Sequence, residues 1–384
     1  MIYIITNIRR GDNQWTYGVI DAVEKEFAKR RLDYKETPDF QSAIKKCRSK
    51  QDVILIPSQY NSLVLPIIEE CNHSGVQVIV SNAYMNIGES YRFHSVQGDF
   101  YNAVSYVLSG FKSAGKLNTA LYGVNTNSQG DVLFTDAFVA QNRGNPSSVF
   151  SNGGSMLDCF NSFFDVREKF DSVICVNDYV AVALIENLER LDPDYLERLY
   201  IVSVSDTLLA RFYKRPITSL AVDLKTLSSA VADIYRTISR SECEYRSVTI
   251  YIDYEIKERQ TTHGCFAGEF NKMSVSSNVF FTPVNTFDET IAYNTDPEVA
   301  LLPKIEIFLN NLSKIELSVL KSLLSGSSIR RLGEELYLSE EAVRYHLKKM
   351  RVALGCGTTS EMREKLSGLL NPVHIAEYLK QLNN

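Results

Sequence analysis

The sequence predicts an α/β chain, with a doubly wound parallel sheet over residues 1–264 and a small all-α unit after it. Three observations carry that expectation. Short, apolar, β-branched runs recur at regular intervals through the first two-thirds of the chain. Segments with helical periodicity separate them. From Lys304 onward the strand-like runs stop and only helical periodicity remains.

The predicted strands are Ile2–Ile5, Val53–Ile56, Val76–Val80, Thr119–Gly123, Val173–Val176, Ile201–Val204 and Val248–Ile252. Runs so continuously apolar suit parallel strands covered on both faces. The predicted helices between them are Trp15–Arg31, Ser62–His73, Asp99–Ala114, Asp178–Leu191 and Thr226–Ser239. In the first of these, Val19, Ala22, Val23 and Phe27 make an apolar stripe broken only by Glu26. Residues 265–303 lose the rhythm and are rich in Ser, Asn, Thr and Pro. Phe266, Phe270, Phe280, Phe281, Phe287 and Tyr293 make this stretch too aromatic for a free linker. It is read as a connector packed on a domain or on a partner subunit.

The C-terminal unit, 304–384, is read as a sequence of helices. A first spans about Lys314–Leu324, with Leu317, Leu320 and Leu324 on one face and Gly326 placed to end it. A second spans about Ile329–Leu336, and Tyr337-Leu338 makes a short turn. Ser339 is a suitable N-cap for a third, from Glu340 to about Leu354. There Val343, Leu347, Met350 and Leu354 form a buried stripe, with Arg344, Lys348 and Arg351 as a basic stripe beside it. Two helices joined by a tight turn, the second basic and amphipathic, is the physics of a helix-turn-helix. Residues 313–367 hold ten Lys and Arg against seven Asp and Glu, a net charge of +3. The remainder is therefore −8 within a total of −5. A locally positive unit on an acidic chain is what a DNA-binding appendage needs.

Composition narrows the other function classes. The apolar uncharged run Val53–Ile68 is 16 residues and carries two prolines, too short and too polar to span a bilayer. The opening MIYIITNIRRGDN has neither a basic leader nor a small-residue cleavage site, so no signal peptide is expected. Seven Cys with no CxxC pair and no zinc-ligand spacing suit free thiols in a reducing compartment, and a cytoplasmic protein without metal or other cofactor is expected. No GxSxG or HExxH occurs and the five His are scattered, so no enzyme is expected.

Ligands of open α/β sheets bind outside the carboxyl ends of the strands. Here the loops at those ends hold Asn13, Trp15, Gln59, Asn82, Asn125, Asn177, Asp178 and Asp206. Amides and acids that donate and accept suit a polyhydroxyl ligand, and Trp15 offers it an apolar face. The competing reading of each polar residue is a helix cap or turn initiator, above all for Asp178 and Thr207.

Four segments of residues 1–264 resemble the effector domain of LacI/GalR regulators, the type 1 periplasmic-binding-protein fold. They are VQGDFYNAVSYVLSGFKSAGKLNTALYG (96–123), VICVNDYVAVALIENL (173–188), VSVSDTLLARFYKRPITSLAVD (202–223) and YEIKERQTT (254–262). The resemblance implies two lobes crossed three times by the chain, with a ligand cleft between them. Lobe one is expected at 1–116 and 222–245, lobe two at 117–221 and 246–264. Asp99, at the head of its helix, joins Asn177, Asp178 and Asp206 at the family's pocket positions. Phe134 stands where the family often has an Arg that clamps a sugar or anion, so that clamp is lost.

The C-terminal unit resembles the LuxR/GerE-type helix-turn-helix. Its pattern reads here as Leu312-Ser313, Glu316, Val319-Leu320, Gly326, Ser328, Leu332-Gly333, Leu336, Leu338-Ser339, Ala342-Val343, His346 and Leu354-Gly355. By that resemblance Arg344, Tyr345 and Lys348 read bases, while Arg330, Ser339, Lys349 and Arg351 lie near phosphates. A fourth helix, Ser360–Leu370, makes the dimer contact through Met362, Leu366, Leu369 and Leu370. Gly333 replaces the usual Ala and weakens its helix by about 1 kcal/mol.

The function expected is that of a cytoplasmic, homodimeric transcription regulator. It binds DNA through its C-terminal unit and a small effector, a carbohydrate by preference, between the lobes. The alternatives are a protein-interaction module with a degenerate helix-turn-helix and a solute-binding receptor. Salt discriminates the first, because DNA binding falls steeply with salt as counterions are released. The lack of a signal peptide opposes the second.

Overall fold

A computed structural model of the chain describes residues 1–6, 14–49, 51–57, 61–81, 91–126, 128–142, 146–240, 247–266 and 296–382. Its strands are β1 (Ile2–Ile5), β2 (Tyr34–Thr37), β3 (Val53–Ile56), β4 (Gln77–Ser81), β5 (His94–Gly98) and β6 (Thr119–Val124). There follow β7 (Val149–Ser151), β8 (Ser172–Cys175), β9 (Tyr200–Val204), β10 (Thr218–Val222), β11 (Thr249–Ile252) and β12 (Tyr254–Lys257). They form two six-stranded sheets, ordered β11-β5-β4-β3-β1-β2 and β12-β10-β9-β8-β6-β7. Among the described residues every pairing is parallel except that of β10 with β12. The interior strands β1, β3 and β8 are buried at every residue, as strands covered on both faces must be.

The helices in chain order are α1 (Gln14–Arg30), α2 (Phe40–Lys46), α3 (Asn61–His73), α4 (Phe100–Ser113), α5 (Gln129–Gln141) and α6 (Met156–Phe164). Next come α7 (Asp178–Leu191), α8 (Pro193–Arg198), α9 (Leu208–Phe212), α10 (Leu224–Arg240) and α11 (Leu302–Asn310). The last are α12 (Lys314–Leu324), α13 (Ile329–Leu336), α14 (Glu340–Ala353), α15 (Thr359–Ser367) and α16 (Pro372–Gln381). Two lobes of doubly wound α/β structure, followed by a small all-α unit, is the fold class that the sequence predicts.

Two boundaries differ from expectation. The run expected as a lobe-two strand, Thr249–Ile252, pairs in parallel with Ser95–Gly98 and so closes the first sheet. The crossing lies at Asp253, between β11 and β12. Helix α4, expected in lobe one, buries Ala103, Val104, Val107 and Phe111 in the same cluster as β6 and β8 of the second sheet. A helix belongs with the core that takes its apolar stripe, and this one sits beyond the first crossing. Helix α10 keeps its expected place, packing Leu227, Val231 and Ile234 with Val19, Val23 and Phe27 of α1.

The C-terminal unit does not stand apart. Val299, Leu302, Ile305, Phe308 and Leu309 share one apolar cluster with the second sheet, and that cluster runs on through Leu320, Leu347 and Leu366. Backbone bonds fix the joint: Lys214 N donates to Leu369 O at 2.7 Å and Asn371 N to Phe212 O at 2.8 Å. Met362, Leu366 and Leu370, expected at a dimer contact, are each 3% exposed or less within their own chain. Here they stabilise the unit and its docking instead. Of the expected connector, residues 267–295 lie outside the described residues.

Candidate functional site

One carboxylate ties the loop after β8 to β9, to the loop that follows β9 and to the start of β10. Asp178, at the first position of α7, is 0% exposed. One of its oxygens accepts from the hydroxyls of Ser203 and Ser219, and the other accepts Thr207 N at 2.7 Å. Burial pushes its pKa up, against these bonds. A carboxylate so enclosed braces two strands and the loop after β9, and presents no open face. Asn177, beside it, is half-buried and caps α7, its Oδ1 accepting Val180 N at 3.0 Å.

Asp206 follows β9 in a left-handed conformation (φ 52°), directly after Ser205 at φ 114°. Both are uncommon for residues with a Cβ and are held by the surrounding bonds. Asp206 N donates to Ser219 Oγ at 2.9 Å. Its carboxylate, 4% exposed, meets Arg211 at 2.5 Å on one oxygen and Arg259 at 2.5 Å on the other. Sequence reasoning did not single out these two arginines, whose only signal is Arg259's place in YEIKERQTT. Arg259 Nη1 also donates to Ile217 O at 2.7 Å, so its fork spans the loop and the backbone.

The remaining candidates divide. Asp99 caps α4, accepting Asn102 N at 2.9 Å and Asn102 Nδ2 at 2.8 Å. Asn125, 3% exposed, gives its backbone N–H to Asp131 at 2.9 Å. Asp131 was not foreseen. It also accepts from Ser128 Oγ at 3.0 Å, and burial pushes its pKa up to about 7. The Ser-x-x-Asp spacing at the head of α5 was its available signal.

Phe134 is 3% exposed, its ring edge-on to Phe100 with centroids 5.3 Å apart. Phe100 stacks in turn on Tyr254 at 5.5 Å. Gly98 admits that tyrosine, since a Cβ there would lie 2.6 Å from its ring. The position aligned with an arginine clamp is therefore part of an aromatic plug joining α4, α5 and β12. Asn13, Gln59 and Asn82 lie outside the described residues, as does the side chain of Trp15 in α1.

The C-terminal unit presents a second set. Ser328 caps α13 and Ser339 caps α14, each through a hydrogen bond from the third helical N–H. Between them Tyr337 turns the chain at φ 56° and is 96% exposed. Val343, Leu347 and Met350 of α14 face inward, and Arg344, Tyr345 and Lys348 face outward, with Tyr345 65% exposed. Arg344 reaches Glu340 at 3.4 Å and Arg330 reaches Glu334 at 3.0 Å, both exposed pairs one turn apart. Such pairs are weak and exchange readily for another anion.

Two expected phosphate neighbours are otherwise engaged. Lys349 binds the buried carboxylate of Glu316 at 2.7 Å. Arg351 is half-buried and donates through Nη1 to Gly357 O at 2.5 Å. Both are held by partners within the chain, although Lys349 keeps 58% of its side chain exposed and Arg351 lies in line with Arg344 and Lys348 on α14.

Solved structures share this two-lobed architecture. One is the transcriptional regulator CelR in complex with cellobiose, at TM-score 0.52 and 12% identity over 68% of this chain and 83% of that one. Another is the Lac repressor bound to ONPG, at TM-score 0.50 and 12% identity over 68% and 81%. A LacI family transcriptional regulator from Mycobacterium smegmatis matches at TM-score 0.50 and 14% identity over 68% and 99%. The lobes have the LacI-type fold. At such identities the likeness is one of fold alone. No family model matches the chain, and no curated protein matches it.

Proposed function

We propose that the chain is a ligand-responsive transcription regulator. It binds DNA through a LuxR-type helix-turn-helix made by α13 and α14, and a small molecule between the two lobes. The observation that carries the reading is the outward face of α14. Arg344, Tyr345 and Lys348 are exposed on the second of two helices joined by a tight turn, while the opposite stripe is buried. A helix of that kind fits the major groove, where Arg and Lys donate to guanine edges and to phosphates.

The effector is read as a carbohydrate, a class to which the cellobiose of the CelR complex belongs. The amide- and acid-bearing loops at the strand ends suit hydroxyl groups. With Phe134 in the place of an arginine, that clamp is lost and recognition falls to the remaining polar and charged groups of the strand-end loops. The protein is read as a cytoplasmic homodimer that is not an enzyme, with its two heads spaced along a half-site pair. No described helix is long and apolar enough to cross a membrane.

The test is fluorescence anisotropy of the full-length protein on duplex DNA from upstream of its own gene, with salt titrated. Tight, sequence-preferring, salt-sensitive binding that Arg344→Ala/Lys348→Ala abolishes supports the reading. Binding indifferent to salt and to that change removes it and makes the C-terminal unit a protein-interaction module.

A further inference from the structure

The five residues of α9 are held at both ends by the C-terminal part of the chain. At the first end Glu306, from α11, is 5% exposed and places one carboxylate oxygen on Leu208 N at 3.0 Å and the other on Leu209 N at 2.7 Å. Asn310, one turn on, fixes that carboxylate with a hydrogen bond of 2.6 Å. At the other end, the bonds of Lys214 N to Leu369 O and Asn371 N to Phe212 O form a short antiparallel bridge to the segment between α15 and α16. The Phe212 ring meets Tyr378 of α16 at 5.3 Å. The same helix begins one residue after Thr207, whose N–H goes to Asp178, and it carries Arg211, which pairs with Asp206.

We infer that α9 is the mechanical link between the interlobe site and the C-terminal helical unit, its position set on one side by the Asp206 loop and read on the other by Glu306 and the Leu369–Asn371 bridge. This regulation rests on the function proposed above. Asp206 shares its two oxygens between Arg211, on α9, and Arg259, beyond β12. A ligand that draws on any of the three redistributes those ion pairs and so moves the helix. A helix this short cannot absorb the movement internally, and its two ends are bonded to different parts of the C-terminal unit. The unit must follow, or the Glu306 bonds must open and leave a buried carboxylate without donors, which is unfavourable. Such a link transmits only the difference in ligand affinity between two positions of the helix.

A double-mutant cycle tests the link without a ligand in hand. Asp206→Asn perturbs the loop, Glu306→Ala cuts the link, and both are made singly and together in the full-length protein. Hydrogen exchange at the amides of Lys214 and Asn371 reports on the bridge. Asp206→Asn is expected to speed their exchange at least threefold in the Glu306 background and to add nothing after Glu306→Ala. Equal effects in both backgrounds, or an effect confined to residues 203–207, would overturn the inference. If Glu306→Ala does not fold, Glu306→Gln takes its place, keeping one acceptor oxygen, and the same non-additivity is required. Affinity for the upstream DNA fragment, measured in parallel, is expected to show the same non-additivity. If wild-type protein binds no DNA, the regulator reading fails, while the exchange cycle still decides on the link.

Discussion

Glu316 and Lys349 form an ion pair of 2.7 Å in which the carboxylate side chain is 2% exposed and the ammonium side chain 58%. Glu316 also accepts the backbone N–H and the hydroxyl of Ser313, each at 2.8 Å, in a capping box that starts α12. One residue thus joins α12 to α14. Burial pushes its pKa up, but Lys349 and Ser313 outweigh burial and hold it down from 4.5 to about 2.

A carboxylate with a depressed pKa contributes stability above its unfolded value and loses it as pH falls through its folded value. Stability of the C-terminal unit should therefore decline between about pH 4.5 and about pH 2. Glu316→Gln should cost on the order of 3 kcal/mol at neutral pH and flatten that acid limb. Denaturant melts followed across pH check both. An unchanged acid limb in the variant would place the sensitivity elsewhere.

Gly333 should resist replacement by alanine although helix propensity favours the change. Its Cβ would lie 2.7 Å from the carbonyl oxygen of Leu338, in the turn between α13 and α14. Leu338 N donates to Gly333 O at 2.9 Å across the same turn, so the backbone has little room to retreat. The clash, about 1–3 kcal/mol, exceeds the roughly 1 kcal/mol that propensity gains. Gly333→Ala is expected to lower the melting temperature and to weaken DNA binding with it.

Asp206→Ala should destabilise by about 3 kcal/mol or more, because it leaves the Arg259 guanidinium (18% exposed) without its anion. Arg259→Lys should recover little, since a lysine cannot serve Asp206 and the Ile217 carbonyl with one fixed fork. Chemical denaturation of the three proteins ranks them. Equal stability of wild type and Asp206→Ala would show the pair to be without net effect.

Neighbouring cations on α14 should separate in a salt titration. Lys348 is exposed, and Lys348→Ala should reduce the salt slope of DNA binding by about 1 with melting unchanged. Arg351 holds Gly357 O, so Arg351→Ala should lower stability and leave the slope nearly intact. The reverse pattern would turn the DNA face about a sixth of the way round the helix, toward Arg351.

The sequence by itself determined the strands that are apolar on both faces, because burial on two sides leaves no polar position to confuse the period. It also determined α12 and α13 and the start of α14, where Ser caps and regular stripes mark the ends. It did not mark β10, whose Thr218 and Ser219 are 0% exposed. Their hydroxyls meet Thr262 at 2.8 Å and Asp178 at 2.9 Å, partners that only the folded chain supplies. Nor did it mark β2, an edge strand with Lys35 and Glu36 exposed.

Tertiary structure alone decided what the charged residues do. Asp178, Asp206 and Asn177 stand at strand ends as expected, yet their oxygens serve serine hydroxyls, arginines and helix N–H groups of the chain itself. Glu306 looks in sequence like an interruption in an apolar helix and proves to accept the first two N–H groups of α9. Periodicity records which face of an element is buried. It carries no information on which distant partner meets a buried charge, and that pairing decides whether the charge is a brace, a link or a surface for DNA.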